Sequence, residues 1–201
     1  MIRVFLLLAG LLALAACGGT GGERGPLPEP QLQAVAYVPD TAPKLTLFSV
    51  INNRTGAGGH TALLVTGSQQ VLFDPAGSFR HSSITEYGDV LYGMSPRFVQ
   101  GFRSAHARDS HHVVSQEIAV SPAVAERALA LVQAQGSVSS AFCANSTSNI
   151  LRQLPGFENI AVTFFPTKLR DQFAQIPGVI TDQYYENDAG DVVDGLNGLN
   201  L

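Results

Sequence analysis

The chain has 201 residues, of which 45% are hydrophobic and 14% charged, and its formal net charge is -4. That composition suits a globular protein with enough apolar mass for one core. It holds no run or stripe of Lys and Arg to neutralise phosphates, which sets nucleic-acid partners aside.

The leader comes first. Met1-Ile2-Arg3 carries one positive charge, and Val4 to Ala16 is apolar with Gly10 as its only interruption. Such a run is too short to span a bilayer and suits the core of an export signal. Leu14-Ala15-Ala16-Cys17 resembles the lipobox of bacterial lipoproteins. That resemblance implies a signal peptide over residues 1–16, with cleavage before Cys17 and a membrane-anchoring lipid on the Cys17 sulfur. Gly18-Gly19-Thr20-Gly21-Gly22 then reads as a flexible tether, and residues 17–31 as a linker. Gly18, rather than Asp, after the cysteine suggests outer-membrane sorting and a periplasm-facing domain. An ordinary secretory signal followed by a chance cysteine is the alternative. With Cys17 lipidated, Cys143 is the one thiol left, so no internal disulfide can form.

One domain is expected over residues 32–185. Lys44 to Ile51 predicts a central strand, apolar on both faces. His60 to Val65 and Val71 to Asp74 predict a hairpin closed at residues 66–70. Residues 78–108 read mainly as loop, with a short strand near 97–102. His112 to Val120 alternates as a strand. Ser121-Pro122 opens a helix with Val124, Ala128 and Leu131 on its inner face, closed by Gly136. A second helix is predicted from Cys143 to Leu154, ended by Pro155-Gly156, then a short strand at 162–165 and a helix over 167–175. Residues 186–201 are acidic and rich in Gly and Asn, and read as a loose tail. A hairpin first and helices later give an α+β class.

Three residues could carry chemistry: His60, Asp74 and Cys143. With the turn centred near Gly67, His60 lies across from Asp74, and both share a face with Ala62, Leu64 and Leu72. A carboxylate beside one ring nitrogen orients an imidazole and stabilises its protonated form. Cys143 shares a helix stripe with Thr147, Ile150, Leu151 and Leu154. A thiol in the first turn of a helix meets the positive helix end and free N–H groups, which favour thiolate. Each residue also has a plainer reading. Cys143 can be a small core residue, His60 a strand-end histidine, and Asp74 the first residue of a Pro-Ala-Gly turn. His81 and His106 fall in loop-like sequence and suggest nothing specific. His111-His112 could share a metal only if the strand has not begun there. No dedicated zinc spacing is present, no cofactor motif is recognised, and Gly56-Ala57-Gly58-Gly59 lacks the features of a phosphate loop.

The stretches GGHTALLV and VLFDPAGSF, followed by SPAVAERALALVQAQGS and AFCANSTSNILRQLPGF, resemble the circularly permuted branch of the NlpC-like, papain-fold superfamily. That branch includes lecithin retinol acyltransferase-like proteins. The likeness spans roughly residues 45–175. It implies a papain-like antiparallel sheet packed on helices, with Cys143 as nucleophile, His60 as base and Asp74 as third polar residue of a hydrolase or acyltransferase. The chain departs from the family pattern at Phe142, where Asn often precedes the cysteine. Peptidoglycan amides and phospholipid esters are the nearest substrates in an envelope. The rival expectation is a non-catalytic lipoprotein that uses the same fold as a binding or scaffold module.

Overall fold

The computed structural model describes residues 25–199; the leader, the lipobox and Cys17 lie outside this range. Within it, helix α1 (Glu29–Val35) begins ahead of the boundary expected at residue 32. The strands β1 (Lys44–Asn52), β2 (Gly58–Thr66) and β3 (Gln70–Phe73) follow. Two short strands, β4 (Thr85–Tyr87) and β5 (Val90–Tyr92), form a second hairpin. Then come α2 (Pro96–His106), β6 (His111–Ala119), α3 (Pro122–Gln135), α4 (Cys143–Leu151), α5 (Pro166–Phe173), β7 (Ile180–Tyr184) and α6 (Val192–Asn197). The fold is α+β, with the strands forming one antiparallel sheet in the order β4-β5-β3-β2-β1-β6-β7.

Alternation along the strands divides the core into two layers. Leu45, Leu47, Leu63 and Val65 face α3, α4 and α5, packing with Leu129, Ile150 and Leu169. Phe48, Val50, Ala62, Leu64 and Leu72 face α2 and α6, packing with Phe102, Ala105 and Leu196. Phe102 fixes α2 on the sheet: its ring centroid lies 5.3 Å from that of Phe48 and 5.3 Å from that of Phe79. Helices on both sides explain why β1 is apolar on both faces, since neither face meets water.

Several expectations change. Residues 96–106 form a helix, not loop and strand, opened by Ser95-Pro96 with Pro at the first helical turn. The inner face of α3 is Ala125, Ala128, Leu129 and Val132, turned by about one residue from the expected stripe because the sheet lies to that side. Residues 162–165 form no strand. Strand β7 was not foreseen; it is a largely exposed sheet edge without apolar alternation. Residues 192–197, expected to be loose, form α6, whose N-terminus is held by a capping box between Asp191 and Asp194. Leu196 is buried there, and Gly195 lets α6 close on the backbone of Ala105. No helix among the described residues is long and apolar enough to cross a membrane.

Candidate active site

His60 sits at the start of β2, where the ladder to β1 is irregular. Val50 pairs with His60 and Ile51 with Gly58, so Gly59 is an extra residue on β2. Such a bulge re-aims the neighbouring side chain. Gly58 is dictated by close approach: a Cβ there would fall 2.6 Å from the Cβ of Pro166. The start of α5 is thereby pressed against the strand that carries His60.

The β2–β3 register differs from the expected one. Leu64 pairs with Leu72 and Thr66 with Gln70, so the turn centres one residue later than Gly67. Extending the ladder sets Asp74 across from Ala62, diagonal to His60. A displacement of two keeps the side-chain face, so carboxylate and imidazole still meet. His60 Nε2 and Asp74 Oδ1 are 2.6 Å apart, with the side chains 15% and 4% exposed. Asp74 also begins a turn closed by the Gly77 N–H donating to the Asp74 carbonyl at 2.9 Å. Ala76 lies at φ 55° in that turn. A Cβ on Gly77 would strike the Asp74 carboxylate, so glycine leaves the room that the acid occupies.

Cys143 is the first residue of α4. Phe142, before it, offers no capping side chain, so no side chain caps the first turn. The His60 side chain and the backbone N–H groups of Thr61 and Ala144 lie close enough to the Cys143 sulfur to stabilise its thiolate. With Nε2 committed to Asp74, Nδ1 is the ring nitrogen left for sulfur. His60 thus bridges the acid and the thiol, and the three residues singled out in the sequence meet at one point.

Electrostatics favour the charged forms. Burial opposes a charge on His60, but the Asp74 carboxylate and its hydrogen bond, with help from Cys143, raise its pKa to about 10. Burial likewise opposes ionisation of Asp74, and the His60 charge overrides it, holding the carboxyl below its usual range. Burial pushes the Cys143 thiol up, yet the hydrogen bond and charge of His60 and the two N–H groups bring it below the ordinary thiol value. All three shifts favour the thiolate–imidazolium–carboxylate form of the site over the neutral one.

The sequence reading passed over His106. It ends α2 and is buried, with its ring stacked on His60 at 5.8 Å between centroids and 12° between planes. Its Nδ1 donates to the Phe102 carbonyl at 2.8 Å. Burial, reinforced by the charge of His60, lowers its pKa to about 4 despite Asp74, so the ring is neutral. Asp89 was also missed: its Oδ2 accepts the N–H of Ala76 at 3.0 Å and of Val138 at 2.9 Å. One carboxylate thereby ties the Asp74 turn to the loop that leads into α4. The Ser95-Pro96 helix start was the signal that would have put His106 on a helix beside Phe102.

A cleft of about 340 Å³ opens beside His60, lined by Gly59, Gly77, His106, Arg108 and Asp191 among others. Cys143 is 7% exposed. His111 and His112 begin β6 and have separate partners: Ser110 for His111 and the Asn53 Oδ1 atom, at 2.7 Å, for His112. Among the described residues no cluster of three or more His, Cys, Asp or Glu side chains could hold a metal.

Compared with family models, curated proteins and solved structures, the chain finds no match.

Proposed function

We propose that the chain is a cysteine hydrolase or acyltransferase with a permuted papain-like fold, held in the cell envelope by lipid on Cys17. The observation that carries the reading is the His60 imidazole lying between the Asp74 carboxylate and the Cys143 thiol. A buried, charge-perturbed trio whose imidazole lines an open cleft suits acyl transfer.

In this scheme the Cys143 thiolate attacks the carbonyl carbon of an ester or amide. The N–H groups at the head of α4 point toward the reacting centre and suit the oxyanion that forms. The intermediate collapses as the bond to the alcohol or amine breaks, and the His60 imidazolium gives its proton to that leaving group. A thioester remains on Cys143. Water or another acceptor then gives a proton to His60 and attacks the thioester, releasing the acyl product and restoring the thiolate. Asp74 keeps the ring oriented and offsets its charge throughout.

A small thiol-reactive reagent tests this. Cys143 should label fast at neutral pH, and His60→Ala should slow it by about tenfold or more. Comparison of Cys143→Ala with the unaltered chain on peptidoglycan fragments and phospholipids then separates amide from ester chemistry. One observation favours the scaffold reading: Cys143 is only 7% exposed. Slow labelling indifferent to His60 would select it.

A further inference from the structure

A second cavity, of about 350 Å³, opens on the same face of the sheet as His60 but at the other end of the strands. Strand register builds its floor. Leu64, Thr46, Glu117 and Ile180 stand in one row across β2, β1, β6 and β7. Phe48, Ser115 and Asp182 stand in the next row. The roof is α2, where Pro96, Val99 and Arg103 recur at helical spacing. No described residue lines both this cavity and the His60 cleft.

Three polar atoms in these walls have no hydrogen-bond partner among the described residues: Thr46 Oγ1, Ser115 Oγ and Arg103 Nε. Thr46 is 4% exposed and Ser115 9%. A buried polar group left unpaired is costly, so each of the three calls for a partner. Serine and threonine hydroxyls need only a turn about χ1 to present themselves to an occupant.

Charge decides what kind of occupant fits. Lys44 pairs with Glu117 at 2.8 Å, and Arg103 pairs with Asp182. The walls therefore hold two cations and two anions, already matched, and an ionic ligand would have to break a pair. A wholly apolar ligand would leave the three polar atoms unpaired. A neutral molecule with hydroxyls along its edge and carbon on its face meets both demands, its carbon resting on Phe48, Leu64 and Val99. The volume equals that of roughly a dozen water molecules, which suits a sugar of one or two rings.

We propose that this cavity is a binding site for a neutral saccharide, whose hydroxyls pair with Thr46, Ser115 and Arg103. The site does not depend on Cys143 being a nucleophile.

The test offers the full chain maltose, cellobiose and N,N′-diacetylchitobiose in turn, with binding read by saturation-transfer NMR and titration. At least one should bind with a Kd on the order of millimolar or tighter. Ser115→Ala and Thr46→Val should each weaken it about two- to tenfold, the worth of one hydrogen bond. Val99→Trp, which fills the space under α2, should abolish it. Thermal melts without sugar give a second readout. Because the two hydroxyls have no partner within the fold, Ser115→Ala and Thr46→Val should leave the melting temperature unchanged or raise it.

Failure of all three sugars to bind would overturn the site, as would binding that survives Ser115→Ala at full strength. A melting temperature lowered by both hydroxyl deletions would mean that the fold itself uses those groups, and would overturn it too. Lactobionate, an anionic disaccharide acid, should bind more weakly than the best of the three; tighter binding would overturn the assignment to a neutral ligand. If Val99→Trp does not fold, Ser115→Ala, which removes a single oxygen atom, decides the outcome.

Discussion

His60 and Asp74 are joined across a hairpin diagonal, 2.6 Å between Nε2 and Oδ1, and neither has free access to water. Breaking a buried pair by removing one partner costs about 3–5 kcal/mol, because the other charge is left without compensation. Asp74→Ala should therefore destabilise the fold by an amount in that range.

The size of that loss should depend on pH. The folded pKa of His60 is raised to about 10, so its share of the stabilisation is complete below its unfolded value and disappears as pH rises through 10. The folded pKa of Asp74 is lowered, so its share is present above its unfolded value and disappears as pH falls through the folded one. With unfolded values of about 6.5 and 3.9, the two shares are complete together between about pH 4 and 6.5. Denaturant unfolding of Asp74→Asn beside the unaltered chain should show the widest gap there, narrowing on both sides. A gap that does not vary with pH would count against the pairing.

Alkylation of Cys143 by iodoacetamide should reach its plateau at lower pH than that of an ordinary thiol, because His60 favours the thiolate. In His60→Ala the largest lowering influence on the thiol is gone while burial still raises it, so the rate midpoint should move up. A midpoint that stays put would mean that the imidazole does not act on the sulfur.

His106 responds to acid in the opposite sense. The folded ring binds its proton only near pH 4, while the unfolded one does so at about 6.5. Stability is therefore lost as pH falls from 6.5 toward 4, at no more than about 1.4 kcal/mol per pH unit. His106→Gln should flatten that part of the stability profile. An unchanged acid slope would place the ring in a more solvated setting than the stack on His60 provides.

The turn after Asp74 offers a paired test. Ala76 is held at φ 55°, which an L side chain resists, so Ala76→Gly should raise stability by about 0.5–1 kcal/mol. Gly77→Ala should do the reverse and also slow Cys143 labelling, because its methyl group would displace the Asp74 carboxylate. Thermal melts and labelling rates on the two variants check both statements.

The parts of the site legible in the sequence were those set by local alternation. His60 and Asp74 fall on one face because the period of a strand is two, so a register displaced by two residues left their meeting intact. The buried stripe of α4, from Cys143 through Thr147 to Ile150 and Leu151, followed from helical spacing in the same way. Tertiary packing decided what spacing could not. The face of α3 was turned toward Ala125 and Val132 by the position of the sheet, and β7 pairs with β6 while leaving Ile180 71% exposed. Two local signals were there to be used: Ser95-Pro96, with the spacing of Phe98, Phe102 and His106, for α2, and the Asp191–Asp194 capping box for α6. The aromatic pair of Phe142 and Phe164 joins residues from separate loops and has no signature in either.

Cys143 meets its imidazole only across 83 positions of chain, through a sheet and a helix laid over it. Before those layers close, its sulfur has the acidity of any cysteine in water, with a pKa of about 8.5, and at neutral pH it is mostly uncharged. A chain that is still threading, or has come apart, is therefore chemically quiet at this position. The lowering of the thiol lasts only while the contact between His60 and Cys143 is made.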